Sequence, residues 1–104
     1  MATTTIAGRE VHVDDEGFLT DPGEWDEELA RTLAANIGIE LTAEHLKAIR
    51  FLRSDFATTG ETPTLRRVTN VGGFPTKDLF ELFPKKPAKK MAYVAGLKKP
   101  VGCV

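Results

Sequence analysis

Apolar residues recur along this chain first at the two-residue spacing of a strand and then at the three-to-four-residue spacing of helices. Val11 and Val13 alternate with polar neighbours, and Asp14-Asp15-Glu16-Gly17 supplies a turn before Phe18-Leu19, so residues 6–19 are expected to form a short hairpin. A helix should start directly afterwards. Asp21 can cap it, Pro22 suits its first position and Glu24 stands where a capping box places its acid. Trp25, Leu29, Leu33 and Ile37 then share one face until Gly38 ends the run. Thr42 is an N-cap for a second helix with Glu44 in its first turn, the apolar stripe Leu46, Ile49, Leu52 and Phe56, and a stop at Gly60. Pro63 opens a third helix carrying Leu65, Val68 and Val71, stopped by Gly72-Gly73. Thr76 caps a short fourth with Leu79, Phe80, Leu82 and Phe83, halted by Pro84. Pro87 opens a fifth with Met91, Val94 and Ala95 inward, ended by Gly96. From Leu97 to Val104 the periodicity stops, and Pro100 and Gly102 make this stretch an arm.

The 104 residues suit one small domain with one core, without repeats or an internal boundary. No apolar run approaches the roughly 20 residues of a membrane-spanning helix, so no membrane partner is expected. The N-terminus lacks the basic start and apolar run of a signal peptide. A single cysteine leaves no internal disulfide, and the expected compartment is the reducing cytoplasm.

Net charge is −1, yet unevenly spread. Residues 10–28 hold nine acids and no Lys or Arg. Residues 85–104 hold Lys85, Lys86, Lys89, Lys90, Lys98 and Lys99 and no acid. Such a basic end is either a solvated surface or is steered toward an acidic partner or a phosphate backbone.

Cys103 is the residue whose chemistry stands out. A structural cysteine usually fills a core, and the end of a chain is a poor place for that. An exposed thiol reacts to the extent that it is thiolate. Lys98 and Lys99 favour that form and the carboxylate of Val104 opposes it. Gly102 removes bulk beside the sulfur and Pro100 stiffens the arm. From Gly96 to Cys103 the extended chain reaches roughly 23 Å at about 3.3 Å per residue. A reactive thiol and an incidental surface thiol both fit these residues.

Other constellations are weaker. His12 and His45 have no neighbour at metal-ligand spacing, so no metal is expected, and His45 reads as a packed or surface residue. Ser54, the only serine, lacks nucleophile-elbow glycines. Gly72-Gly73 lacks the lysine and spacing of a phosphate loop. The acids at 24–28 read as the charge bias of a helix start. Residues 64–71 and 76–83, with Arg66, Arg67 and Lys77 nearby, have the outline of a helix–turn–helix, which keeps a regulatory or DNA-binding helical module open as a non-catalytic alternative.

The order Leu82-Phe83-Pro84-Lys85, Pro87-Ala88-Lys89, Ala95-Gly96-Leu97 and Lys99-Pro100-Val101-Gly102-Cys103-Val104 resembles the C-terminal pattern of the DsrC/TusE family of sulfur-carrier proteins. Gly8, Gly17-Phe18-Leu19, Trp25 and Ala43-Glu44-His45 extend the resemblance over nearly the whole chain. It implies a mainly α (α+β) fold: a small orthogonal helical domain with an N-terminal β-hairpin, a helix–turn–helix-like part and a flexible C-terminal arm. That makes residues 1–104 one domain with 96–104 as the mobile arm. It also implies that Cys103, the penultimate residue, accepts persulfide sulfur, with Gly96, Lys99, Pro100 and Gly102 as arm and supporting residues and no cofactor.

Family members of the DsrC type carry a second cysteine eleven positions earlier. Here that position is Ala92, which closes the two-cysteine redox cycle and leaves a TusE-like single-cysteine carrier. The short loop before Leu79 instead resembles sulfite-reducer members, and Lys98 stands where the family usually has proline. The implied partners are a TusBCD- or DsrEFH-like sulfur donor and a thiouridylase or sulfite-reductase-like acceptor, with indirect tRNA association. The alternative is an accessory subunit of a sulfite reductase or heterodisulfide-reductase-like complex. A monomer is expected, with a disulfide dimer through Cys103 open to it.

Overall fold

The computed structural model describes residues 2–100. Five α-helices and one 3-10 turn follow a two-stranded antiparallel hairpin, β1 (Ala2–Ile6) and β2 (Arg9–Val13). The hairpin starts earlier than the hydrophobic pattern predicts and turns at a different place. Ala7 and Gly8 form its two-residue loop with φ of 54° and 74°, and Ile6 pairs with Arg9. Positive φ at both loop residues matches the right-handed twist of the strands. The Asp14–Gly17 turn is present as well, closed by Gly17 N–H to the Asp14 carbonyl and by Asp14 Oδ1 accepting from Glu16 and Phe18. It returns the chain only for a single bridge, Val13 to Leu19.

The expected first helix is broken in two. Asp21 caps only a 3-10 turn, Pro22–Glu24. Trp25 and Asp26 are then extended, and Asp26 becomes the N-cap of α1 (Glu27–Asn36), its carboxylate accepting from Leu29 N–H. Arg9 forks onto the same carboxylate at 2.8 and 2.9 Å. Glu24 reaches back instead of capping: it accepts from the His12 backbone N–H and pairs with the His12 ring, both at 2.9 Å. The break turns Trp25 away from the α1 stripe and toward the far end of the chain.

The remaining helices follow the pattern. α2 (Ala43–Thr59) runs from Thr42 to Gly60, whose φ of 80° suits a left-handed cap. α3 (Leu65–Asn70), α4 (Thr76–Leu82) and α5 (Pro87–Val94) complete the body. Pro75 rather than Thr76 holds the cap position of α4, without a side-chain cap bond. His45 is buried, as a packed residue. Its Nδ1 accepts from the Thr42 backbone N–H, which leaves Nε2 to donate to the Leu82 carbonyl at 2.8 Å and ties α2 to the end of α4.

Two apolar clusters result. Val11, Val13, Leu19, Leu29 and Leu33 fasten the hairpin to α1, and Ile49, Leu52, Val68, Leu79, Phe83, Met91 and Val94 join the other helices. Trp25 and Tyr93 pack against both. Helix α5 packs on α1, α2 and α4, so the segment that follows it leaves from the middle of the domain. Two members of the expected stripes face outward instead: Val71 is 58% exposed and Phe80 45%. Helices α3 and α4 are so short that only one face of each meets the core.

Candidate functional site

The described part of the C-terminal segment is tightly held. Helix α5 ends in a left-handed Gly96 with φ of 70°. Leu97 N–H donates to the Ala92 carbonyl at 3.0 Å and Gly96 N–H to the Tyr93 carbonyl at 3.3 Å, which turns the chain off the helix. The next two orphan carbonyls of the helix are capped from elsewhere in the fold. Trp25 Nε1 donates to the Val94 carbonyl, and Arg53 Nη1 of α2 donates to the Ala95 carbonyl, both at 2.8 Å. The same guanidinium donates to the Pro22 carbonyl at 3.0 Å and lies 4.2 Å above the Trp25 ring centroid. Partial burial pushes the Arg53 pKa down from its ordinary value, yet the group stays cationic. Gly96 is buried against the face of Trp25, where a Cβ would come within 2.4 Å of the ring.

The hold continues past Gly96. Leu97 and Pro100 are buried, and the Lys98 carbonyl accepts from Thr62 Oγ1 at 2.8 Å. Lys99 Nζ reaches Glu16 at 3.1 Å, and Lys89 Nζ approaches the same carboxylate at 3.5 Å. Hydrogen bonding from Lys99 holds the Glu16 carboxyl below its usual value. Of the expected arm 96–104, the described residues 96–100 are packed on the body. Leu97 and Pro100 are held by apolar packing, Lys98 by Thr62 and Lys99 by Glu16, none of which the periodicity of the sequence reveals.

Cys103 and Gly102 lie outside the described residues, as do Val101 and Val104. Chain length still bounds the position of the sulfur. Cys103 is three positions after Pro100, so its Cα stays within roughly 10 Å of the proline. That is less than half the reach counted from Gly96. Lys99, expected to favour the thiolate, spends its charge on Glu16. Lys98 is exposed.

Ala92 is fully buried in α5. The other sequence candidates do not assemble with this site. Ser54 is exposed on α2, and His12 sits on the hairpin beside Glu24. Gly72 is required sterically, since a Cβ there would meet the Val68 carbonyl at 2.6 Å. Among the described residues, no group of three His, Cys, Asp or Glu side chains could hold a metal ion, and no helix is long and apolar enough to cross a membrane.

The helix–turn–helix outline is present in α3 and α4, but one of its basic residues is already committed. Arg67 forks onto the buried Asp55 carboxylate of α2 at 2.7 and 2.8 Å. The guanidinium holds Asp55 below the ordinary value of 3.8. A depressed carboxylate contributes stability above its unfolded pKa and loses it as pH falls through the folded value. Arg67→Ala should therefore destabilise the protein at neutral pH. The gap in urea midpoint between variant and wild type should narrow on acidification below 3.8. A gap independent of pH would show that Arg67 acts by packing alone.

Comparison with known proteins places these features in a family. The family model described as "DsrC like protein" matches residues 5–104. The sulfurtransferase TusE of Salmonella typhimurium is 38% identical over a 104-residue alignment that covers 93% of this chain and 95% of that protein. Among solved structures, DsrC of Allochromatium vinosum superimposes with a TM-score of 0.81 at 36% identity, covering 98% of this chain and 97% of that one. The oxidized γ-subunit of the dissimilatory sulfite reductase (DsrC) from Archaeoglobus fulgidus gives a TM-score of 0.78 at 38% identity, covering 99% of this chain and all of that one.

Proposed function

Because the chain belongs to the DsrC-like family, we propose that it is a sulfur carrier that takes up persulfide sulfur on Cys103 and relays it between partner proteins. The observation that supports this most is the anchoring of residues 96–100. Trp25 and Arg53 hold the Val94 and Ala95 carbonyls just before this segment, Thr62 and Glu16 hold Lys98 and Lys99 within it, and the chain's sole thiol follows three positions after Pro100. A cysteine of purely structural value would not need such a mount.

The chemistry asks for one thiolate and access. The Cys103 thiolate attacks the sulfane sulfur of a donor persulfide. The donor's S–S bond breaks, a new S–S bond forms on Cys103, and the donor thiolate leaves with the electron pair and takes up a proton. An acceptor thiolate repeats the attack on the loaded cysteine and restores the Cys103 thiolate. Each step exchanges one S–S bond for another, so neither needs an external oxidant, reductant or cofactor. The donor, by analogy with the relatives, is a TusBCD- or DsrEFH-like protein. The acceptor is a thiouridylase, which would associate the chain with tRNA indirectly. The work belongs in the cytoplasm, where thiols stay reduced.

A second reading makes the chain an accessory subunit of a sulfite reductase. It is favoured by the likeness to the γ-subunit structure. Ala92 weighs against a complete two-cysteine cycle, since a buried methyl group offers no sulfur partner. Both readings place the exchangeable sulfur on Cys103. The test is intact-mass measurement after incubation with a competent persulfide donor. The expected result is a gain of about 32 Da, one sulfur atom, localised to Cys103 by peptide mapping. A protein that stays unloaded beside a donor that loads another thiol protein would remove the proposal. Co-purification with a sulfite reductase rather than a thiouridylase would select the second reading.

A further inference from the structure

One groove lies beside the anchored segment. It has a volume of about 400 Å³ and is lined by Glu16, Phe18, Ile37, Lys86, Lys89, Lys90 and Tyr93. Its wall is the outward face of α5, and its rim at Glu16 is the point where Lys99 attaches. Phe18 is buried beneath it and meets the edge of Tyr93 at a centroid distance of 5.8 Å. Asn36 Nδ2 reaches the Tyr93 hydroxyl at 3.4 Å. The floor is thus apolar and preformed, and the wall is cationic.

The charges in the groove do not cancel. Three ammonium groups face one carboxylate, and that carboxylate is shared between Lys89 and Lys99. Lys86 and Lys90 make no ion pair among the described residues. Lysines are gathered here in a chain whose net charge is only −1. An apolar floor under unpaired cations fits a ligand with carboxylates around an apolar side chain.

We propose that this groove docks an acidic segment of the protein that exchanges sulfur with Cys103, seating one apolar side chain against Ile37 and Tyr93 and its carboxylates on Lys86 and Lys90. This rests on the carrier reading above and adds to it the chemistry of the partner. Cys103 is tethered within roughly 10 Å of Pro100. Lys99, four positions before Cys103, is held on Glu16 at the rim, so the groove adjoins the root of the segment that carries the thiol. The chain's own residues 101–104, Val-Gly-Cys-Val, carry no acidic side chain to meet the lysines. A nucleic acid would satisfy the lysines but not the floor. Stacking of successive bases needs several exposed aromatic faces, and Tyr93 is the one aromatic side chain of the lining that is not buried.

The test is titration of the ¹⁵N-labelled full chain with a capped pentapeptide whose central leucine is flanked by two acidic residues on each side. Amide shifts should concentrate at Ile37, Lys86, Lys89, Lys90 and Tyr93, and weaken with added salt. The double substitution Lys86→Glu/Lys90→Glu should lower the affinity about tenfold or more, at roughly 0.5–1 kcal/mol for each exposed charge pair. Folding is not at risk, because both positions are at the start of α5, where acids suit the helix dipole. Cys103→Ser should leave the shifts unchanged, so failure of sulfur loading and failure of docking read out separately. Three results would overturn the proposal: no shifts in a protein that loads sulfur normally, equal or tighter binding of a single-stranded oligouridylate at the same residues, or the same shifts produced by deleting residues 101–104 alone.

Discussion

Cys103→Ser should abolish sulfur uptake while leaving the thermal midpoint of the protein unchanged. The chain has no other thiol, so nothing can substitute for it. The thiolate is the nucleophile of the exchange, and a cysteine reaches it near neutral pH. A serine hydroxyl forms no comparable anion at that pH. The expected loss exceeds about a thousandfold, down to the limit of detection. Stability should not follow, because the residues that build both apolar clusters lie between Ile6 and Leu97. The paired measurement is donor-dependent sulfur incorporation together with a melting curve. Residual incorporation in the serine variant would assign the chemistry to another group.

Gly96→Ala should be the most damaging single methyl group in the protein. Two costs combine. The left-handed φ of 70° disfavours any L side chain by about 1 kcal/mol. The added Cβ would stand 2.4 Å from Trp25 Cδ1 and under 3 Å from two more of its carbons, so the indole must move. That movement weakens the Trp25 bond to the Val94 carbonyl and the seat of Arg53 at once. Overpacking of this kind costs about 1–3 kcal/mol, giving a total of about 2–4 kcal/mol. For a domain of this size the melting temperature should drop by roughly 10 °C or more. Gly8→Ala is the control: its φ of 74° is equally left-handed, but nothing lies within 4 Å of the new Cβ. It should cost only the conformational share. Equal losses in the two variants would show that the Trp25 contact contributes nothing. In Gly96→Ala, loading by a small persulfide should persist, while exchange with a protein partner slows as the arm root shifts.

The helical body was legible because its signals are local. Thr42 and Gly60 bracket α2 through their own backbone preferences, and the Met91–Val94–Ala95 stripe marks the inner face of α5 within two turns. The same locality misplaced α1. Asp21-Pro22 and Asp26 are both good helix starts, and the choice between them is made by Trp25, which must leave the helix to reach Val94, 69 residues away. The first strand went unread because Thr3, Thr4 and Thr5 suit a strand without showing apolar alternation.

At the site, the motif around Cys103 was visible and its mount was not. Arg53 looks like one more polar residue of an amphipathic helix. Its partners at Pro22 and Ala95 are 31 and 42 positions distant, and no spacing rule connects them. Thr62 and Glu16 are hidden in the same way, 36 and 83 positions from the lysines they hold. Residues 96–100 show no periodicity in sequence, and the contacts that fix them are long-range.

In the proposed relay, one sulfur atom enters and leaves through a single tethered thiol. The most direct test isolates the chain loaded with ³⁴S at Cys103, removes the donor, and adds an acceptor thiol protein. Mass measurement should show the label leaving Cys103 and appearing on the acceptor in equal amount, with the carrier returned to its original mass. A loaded protein that keeps its label beside a competent acceptor would show that Cys103 is not a relay.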